Sequence, residues 1–384
     1  MVAKGSAGEA VSDRGGEGSQ LEERLVRLVS SWGPANRTKI ASRLNVTEKE
    51  VMERYGKLRR EGVGPRVSLR MERLGLRRFA AIAKAGPASS EADAAKLLDL
   101  MGDYAYLEHW QRLDPADGYL VIFSVPPSLS TELEGFLLEL EGAGALAQSE
   151  LVPLHWMRYH PIRGPWNERG ALEAPTSGPL TALPEGRFGL LPRRLDYREV
   201  LVLSALQADP DADLEGLMRI MRGWGEGGHA EVSALLSRPG IDWGFVLRRA
   251  LRYVDSFAMH LSRGDPEATR RKRHGWASFT VWWERLDKAG LERSAMAATS
   301  VPYLRTDGGS VASGFYFAIV SAPSRLIPDY LDFLTENAAG GMNVAFPSSF
   351  ANYSLPFLSF SPEQGEWVWR KERLQSLRVG LRAR

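Results

Sequence analysis

The chain has 384 residues, 44% hydrophobic and 25% charged, a globular composition with length for about two to four domains. It has no cysteine, which excludes disulfide frameworks, thiolate metal sites and cysteine nucleophiles. The net charge of +2 hides a reversal: residues 21–78 carry 15 Lys/Arg against 7 Asp/Glu, and residues 79–160 carry 4 against 12.

Residues 1–20 are rich in Gly, Ser and Glu without an apolar core, and read as a disordered tail. The longest apolar stretch, near Gly314–Pro323, is too short to span a bilayer, so the expectation is a cytoplasmic protein without a membrane partner. Over residues 21–76, Leu21, Leu25, Leu28, Val29 and Trp32 recur at helical spacing up to Gly33-Pro34. Asn36 can cap a short helix from Arg37 to Leu44. Thr47, with Glu50 three residues on, forms a capping box for a third helix carrying Val51, Tyr55 and Leu58 inward. Ala41, Asn45 and Val51 supply the small residue, the left-handed turn and the β-branched plug of a helix-turn-helix. Val63 to Arg70 alternates like a wing strand, giving a winged helix-turn-helix.

The groove side of helix three would carry Thr47, Glu48, Lys49, Met52, Glu53 and Gly56. Its two carboxylates favour backbone contact over base readout. The groups expected at double-stranded DNA are Arg37, Thr38, Thr47, Lys49, Arg54, Lys57, Arg59, Arg60, Arg66 and Arg70.

Residues 77–160 follow the order β-α-β-β-α-β. Arg77–Lys84 is a strand and Ser90 opens a helix to Gly102. Tyr104–Gln111 and Tyr119–Val125 form a hairpin, Ser130–Glu141 is a helix with Leu133, Phe136, Leu137 and Leu140 inward, and Leu146–Tyr159 is one closing strand. A winged helix-turn-helix followed by a ferredoxin-like domain resembles the Lrp/AsnC (feast/famine) transcription regulators. The resemblance rests on Ile40-Ala41, Leu44-Asn45-Val46, Val51 and the hairpin strand Tyr119-Leu120-Val121-Ile122. It implies a DNA-binding regulator whose second domain dimerises. The glycine-rich effector turn of that family has no match here, so no effector is assigned.

Residues 161–193, rich in Pro and Gly, read as a linker, and a second copy follows: a degenerate winged helix-turn-helix over 194–272, a ferredoxin-like domain over 273–369 and a basic tail over 370–384. Leu214–Gly225 aligns with Leu21–Gly33 through its Trp-Gly, which makes Leu195–Ala208 an added connecting helix. A rival register takes Leu195-Asp196 as the start of helix one. Ala230–Ser237 serves as helix two, and Ile241-Asp242 matches Val46-Thr47. In the sandwich, Pro127-Ser128, Leu138 and Gly144 match Pro323-Ser324, Leu334 and Gly340 at an offset of 196. The fold class is therefore α+β, two tandem winged-helix/ferredoxin-like modules forming an intrachain pseudo-dimer.

The second groove face carries Asp242, Trp243, Gly244, Leu247, Arg248 and Leu251; exposed Trp243, Leu247 and Leu251 would suit contact with transcription machinery or another protein. Arg248, Arg249, Arg252 and the run Arg270-Arg271-Lys272-Arg273 extend the expected DNA contacts. His109 reads as a partly exposed sheet residue. His155 and His160, five apart, point to opposite faces and do not make a metal pair. No Walker loop, dinucleotide fingerprint or nucleophile elbow is present. The leading expectation is a DNA-binding regulator, not an enzyme, with no cofactor and a homodimer left open. A protein-binding adaptor is the alternative. The third is a tetrapyrrole enzyme, because siroheme decarboxylases resemble Lrp/AsnC proteins, occur as paired or fused modules and set a His-rich hairpin against the tetrapyrrole; the second copy here offers Val301-Pro302-Tyr303-Leu304-Arg305 without histidine.

Overall fold

The computed structural model describes residues 14–60, 63–87, 89–116, 118–148, 150–160, 195–261 and 276–370. The expected linker, the run Arg270–Arg273 and the tail beyond residue 370 lie outside them. The described residues begin with three helices: α1 (Arg14–Trp32), which starts within the segment expected as a disordered tail, α2 (Arg37–Leu44) and α3 (Glu48–Arg60). Asn45 makes the turn at φ 58°, and Thr47 Oγ1 accepts the Glu50 amide at 3.2 Å. Asn36 does not cap α2 with its side chain, which donates instead to the Trp32 carbonyl. Ile40, Ala41, Leu44, Val51 and Leu58 close over Leu25 and Val29, each Ile, Leu or Val side chain worth roughly 1.5–3 kcal/mol when fully buried.

The wing, β1 (Val63–Leu69), pairs antiparallel with β8 (Val254–Leu261) of the second copy, Val67 opposite Phe257. The two wings thus form one ribbon. The first sandwich contains β2 (Arg77–Ala85), α4 (Glu91–Tyr104), β3 (Leu107–Asp114), β4 (Gly118–Val125) and α5 (Ser130–Gly142). Ser90 Oγ caps α4 through the Asp93 amide, and the expected stripe on α5 is buried.

The single closing strand is a correction. Its residues divide into β5 (Leu146–Gln148) and β6 (Val152–Pro153), both on β2, and β7 (Trp156–Tyr159), which leaves its own copy to pair with β10 (Leu304–Ser310) of the other. The second copy contains β9 (Trp276–Trp283), α10 (Lys288–Ser300), β10, β11 (Phe315–Pro323), α11 (Ile327–Asn337) and β12 (Asn343–Asn352). β12 makes the reciprocal exchange: Asn343–Ala345 pair with β9, and Phe346–Asn352 pair with β3. An exposed edge at β3 or β10 would leave backbone donors unpaired, and each crossing strand satisfies them. Gly309 gives the exchanged strand room, since a Cβ there would lie 2.6 Å from the Trp156 ring.

The resulting ten-stranded sheet runs β5-β2-β4-β3-β12-β9-β11-β10-β7, with β6 beside β2, and folds over so that Leu120 and Ile122 meet Trp282, Phe317 and Ile319. Helices cover the outer faces: Leu97, Met101 and Leu133 on one side, Leu291, Ala295 and Leu334 on the other. A short hairpin, β13 (Phe360–Ser361) and β14 (Glu366–Trp367), seals the first copy over Tyr106, whose hydroxyl donates to Val368 O at 2.8 Å. The offset between sandwiches is 197: the caps Ser90 and Asp287, the strand starts Leu107 and Leu304, and the helix starts Ser130 and Ile327 are equivalent. The sequence match at 196 slipped by one residue because Pro126-Pro127 offers two prolines to one Pro323.

The second helix-turn-helix contains α6 (Tyr197–Ala208), α7 (Leu214–Glu226), α8 (Ala230–Leu236) and α9 (Trp243–Ala250). The expectation that α7 is helix one and α6 a connector is corrected. Glu199 of α6, buried, accepts from Arg249 of α9 at 2.7 Å, as Glu22 of α1 accepts from Lys57 of α3 at 2.6 Å. Moreover, α6 packs on β1 as α1 packs on β8. The Leu195-Asp196 register is the structural one; the periodicity of α7 that misled the alignment is shared by any amphipathic helix. The match at helix three holds, with Asp242 Oδ1 accepting the Phe245 amide at 2.9 Å as Thr47 accepts that of Glu50.

Because Glu199 is only 2% exposed, Arg249→Ala strands a buried carboxylate. The expected loss is about 3–5 kcal/mol of unfolding free energy in urea, with a smaller loss for the Glu199→Gln/Arg249→Met pair. Equal losses for the single and double changes would show that the ion pair is not what Arg249 contributes.

Candidate functional site: a cleft on the pseudo-two-fold axis

Many of the residues expected at DNA have carboxylate partners within the chain. Arg54 pairs with Glu50 at 2.9 Å, Lys57 with Glu22, Arg59 with Asp211 at 3.1 Å, Arg70 with Asp255 at 3.4 Å and Arg249 with Glu199. Lys49 lies 3.9 Å from Glu53, and Arg248 3.9 Å from Asp242. Arg37, Thr38, Thr47, Arg60 and Arg252 are exposed. Tyr55 also donates to Asp211, so the turn ahead of α7 is pinned to α3; burial and that carboxylate push the phenol above its ordinary range. The exposed pairs would exchange for phosphate at little cost, whereas moving Lys57 or Arg249 to a phosphate would leave the buried Glu22 or Glu199 without its cation. The expected exposure of Trp243 and Leu247 is corrected too, since both pack on the core; Phe245 and Leu251 are the exposed apolar residues.

Arg66 stands apart. It leaves the wing for a cleft between the folded halves of the sheet. His109 and Gln111 of β3, Tyr159 of β7 and Arg305 and Thr306 of β10 also line it. Register makes the lining symmetric: His109 faces Asn352 across β3 and β12, as Thr306 faces Tyr159 across β10 and β7. The cleft therefore sits on the pseudo-axis, and the two copies equip it differently.

His109 is buried, a correction to its expected partial exposure. Its Nδ1 lies 2.7 Å from Asn352 Oδ1 and its Nε2 3.4 Å from Gln111 Oε1. Burial, reinforced by the charge of Arg66, lowers its pKa to about 4, so the imidazole is neutral at pH 7. The Arg66 guanidinium stacks over the Tyr159 ring at 4.8 Å. Tyr159 Oη donates to Glu108 at 2.8 Å, and burial with that carboxylate pushes the phenol up to about 12. Burial alone would raise Glu108; the Arg78 fork at 2.8 and 3.1 Å and Ser124 Oγ at 2.6 Å hold it at about 2 instead. A fixed anion thus braces the wall while cations and a neutral imidazole face the opening. Such a lining suits a carboxylate-bearing ligand.

Sequence reasoning placed Arg66 on DNA and gave Tyr159 and Arg305 no role. The available signal was a run of polar groups, Glu108-His109 and Gln111-Arg112, in a strand flanked by Leu107 and Leu113. Among the described residues no group of three His, Asp or Glu could hold a metal, and no helix is long and apolar enough to cross a membrane.

No family model and no curated protein matches the chain. Among solved structures, the siroheme decarboxylase NirDL is similar over 93% of this chain and 99% of that chain, at 10% identity and a TM-score of 0.50. The same enzyme in co-complex with an iron-uroporphyrin III analogue is similar over the same shares at 11% identity and 0.49. E. coli AsnC is similar over 35% of this chain and 90% of that chain, at 14% identity and 0.28. At these identities the likeness concerns the fold. The AsnC likeness covers about a third of this chain. The expectation that the chain is not an enzyme is corrected by the full-length match, because the whole two-module fold is one that an enzyme has.

A histidine that stays neutral when folded makes stability depend on pH with a definite sign. Below its ordinary 6.5 the unfolded chain takes up a proton that the folded chain refuses down to about 4, so stability falls as pH drops through that window. From pH 7 to pH 5 the wild-type protein is expected to lose about 2 kcal/mol more than His109→Gln in urea unfolding. Parallel losses would place the neutral imidazole elsewhere.

Proposed function

We propose that this chain is a decarboxylase acting on a carboxylate-bearing tetrapyrrole of the siroheme class. The observation that carries the reading is the convergence of Arg66, Arg305 and a buried neutral His109 on one cleft between the copies. The full-length fold likeness supports the choice of substrate class.

In the reaction the bond from a substrate methylene to its carboxylate breaks and carbon dioxide leaves. The electron pair stays on the methylene carbon, spreads into the attached ring and takes up one proton, which leaves a methyl group. Arg66 and Arg305 hold substrate carboxylates by charge-assisted hydrogen bonds. His109 is the proton carrier nearest the reacting group, steadied by Asn352 and Gln111. The apolar wall of Met157, Ile319 and Phe350 excludes water from the leaving carboxylate.

Anaerobic incubation with siroheme, followed by mass spectrometry, is expected to show products lacking one or more carboxyl groups. His109→Ala should slow this by about 10²- to 10⁴-fold, the usual contribution of a positioned proton carrier. Wild-type protein that neither shifts the Soret band nor changes the substrate would overturn the reading.

The second reading, a regulator of double-stranded DNA, is favoured by exposed Arg37, Arg60 and Arg252 near the two third helices. It expects salt-sensitive duplex binding that weakens in the Arg37→Ala/Arg60→Ala/Arg252→Ala protein. Binding absent at low salt excludes it.

A further inference from the structure

In the free protein, His109 is held neutral in a cleft whose charged lining groups are two cations, Arg66 and Arg305, among neutral polar and apolar side chains. The groups facing it come from four elements: Arg66 on the wing, Arg305 on β10, Asn352 on β12 and Gln111 on its own strand, with the Phe350 ring 6.4 Å away. None of these carries negative charge. The nearest carboxylate in sequence, Glu108, is taken up by Arg78, Ser124 and Tyr159. A neutral imidazole is a poor proton donor, yet a carbanion left by carbon dioxide needs a proton at that moment.

We infer that a carboxylate seated between Arg66 and Arg305 charges His109, so that ligand binding, not the resting enzyme, loads the proton used in the reaction. The inference rests on the proposed function for its chemistry, but its electrostatics stand on the cleft alone. A carboxylate beside Arg66 cancels the charge that opposes protonation and adds a counter-ion within reach of the ring. Two amide oxygens already face the ring nitrogens, at 2.7 Å from Asn352 and 3.4 Å from Gln111, and both can accept from an imidazolium. One proton enters from solvent on binding. It passes to the methylene carbon when the carbon–carbon bond breaks, and the imidazole returns to neutral as product leaves. Arg66 is thus a positioning residue that also sets the charge of His109, and the wing that carries it becomes part of the cleft.

The test is an NMR titration of the full chain with labelled histidine, following the His109 ring between pH 3 and pH 8, where pH limits bracket its lowered and ordinary values of about 4 and 6.5. Three proteins are compared: wild type, Arg66→Gln and Arg66→Lys. Two probes are used, metal-free uroporphyrin III and tricarballylate, which has three carboxylates and no ring. Arg66→Gln without probe is expected to raise the His109 midpoint by about one pH unit or more, and Arg66→Lys to restore the low value. Saturation of wild type with either probe should raise the midpoint similarly, and in Arg66→Gln it should add less. The resonances of His155 and His160 report that each variant is folded. A midpoint unmoved by Arg66→Gln and by saturating uroporphyrin overturns the coupling, even if siroheme is turned over. A midpoint raised by tricarballylate in a protein that leaves siroheme unchanged supports the coupling and rejects the proposed function.

Discussion

The structure depends on an exchange of strands between its two copies. A four-stranded ferredoxin-like sheet ends in an unpaired edge, and each copy covers the edge of the other: β7 lies on β10, and the second half of β12 lies on β3. The exchange is anchored by charge as well as by backbone hydrogen bonds. Asp307, wholly buried in β10, receives Arg158 Nε at 2.9 Å and His160 Nε2 at 2.8 Å from the crossing strand and its end, with Tyr316 Oη at 3.2 Å. Burial alone would raise this carboxyl; the hydrogen bonds from His160 and Arg158 hold it at about 2. Removing the crossing strand would leave a bare sheet edge and an unpaired buried anion together, and for that reason the two halves form one unit.

The cleft follows from that closure. Strands that cross at a pseudo-two-fold axis bring two equivalent positions to one place, and duplication then lets them diverge. At the axis His109 of the first copy lies opposite Asn352 of the second, and the equivalent Thr306 of the second lies opposite Tyr159 of the first. In a symmetric homodimer the two positions would be identical, so a single imidazole between arginines from different copies could not arise. Fusion of the copies into one chain removes that constraint. The buried braces are asymmetric as well: Glu108 with Arg78 in one half, Asp307 with Arg158 in the other, their carboxylates two residues apart after the offset of 197 is applied.

The elements that sequence revealed are those governed by local physics. Asn45 at a left-handed turn, Ser90 as a cap and the stripe Leu133, Phe136, Leu137 and Leu140 each carry their own signal, and each lies where periodicity and capping put it. What sequence misjudged depended on contacts between copies. The path of residues 146–159 is set by the edge of β10, about 150 residues away in the chain, and no local pattern reports it. The identity of helix one in the second module turned on a buried Glu199–Arg249 pair, whereas the Trp-Gly match followed composition. The cleft was illegible for the same reason: Arg66, His109, Tyr159 and Arg305 belong to four separate strands, and alternation says only that each faces one side of its own strand.

The fate of the winged modules follows from their charges. A DNA reader needs cations whose partners are water and counterions; here Arg54, Lys57, Arg59, Arg70 and Arg249 each hold a carboxylate at 3.4 Å or less. Two of those carboxylates, Glu22 and Glu199, are buried between helices one and three, so the pairs fix the packing of each module. The wing ribbon formed by β1 and β8 then fixes the modules to each other, and Arg66 on that ribbon enters the inter-sheet cleft. A module that was only a scaffold would have no reason to send a guanidinium beside His109. The geometry makes the wing a wall of the site, and the ion pairs that weaken the case for DNA hold that wall in place.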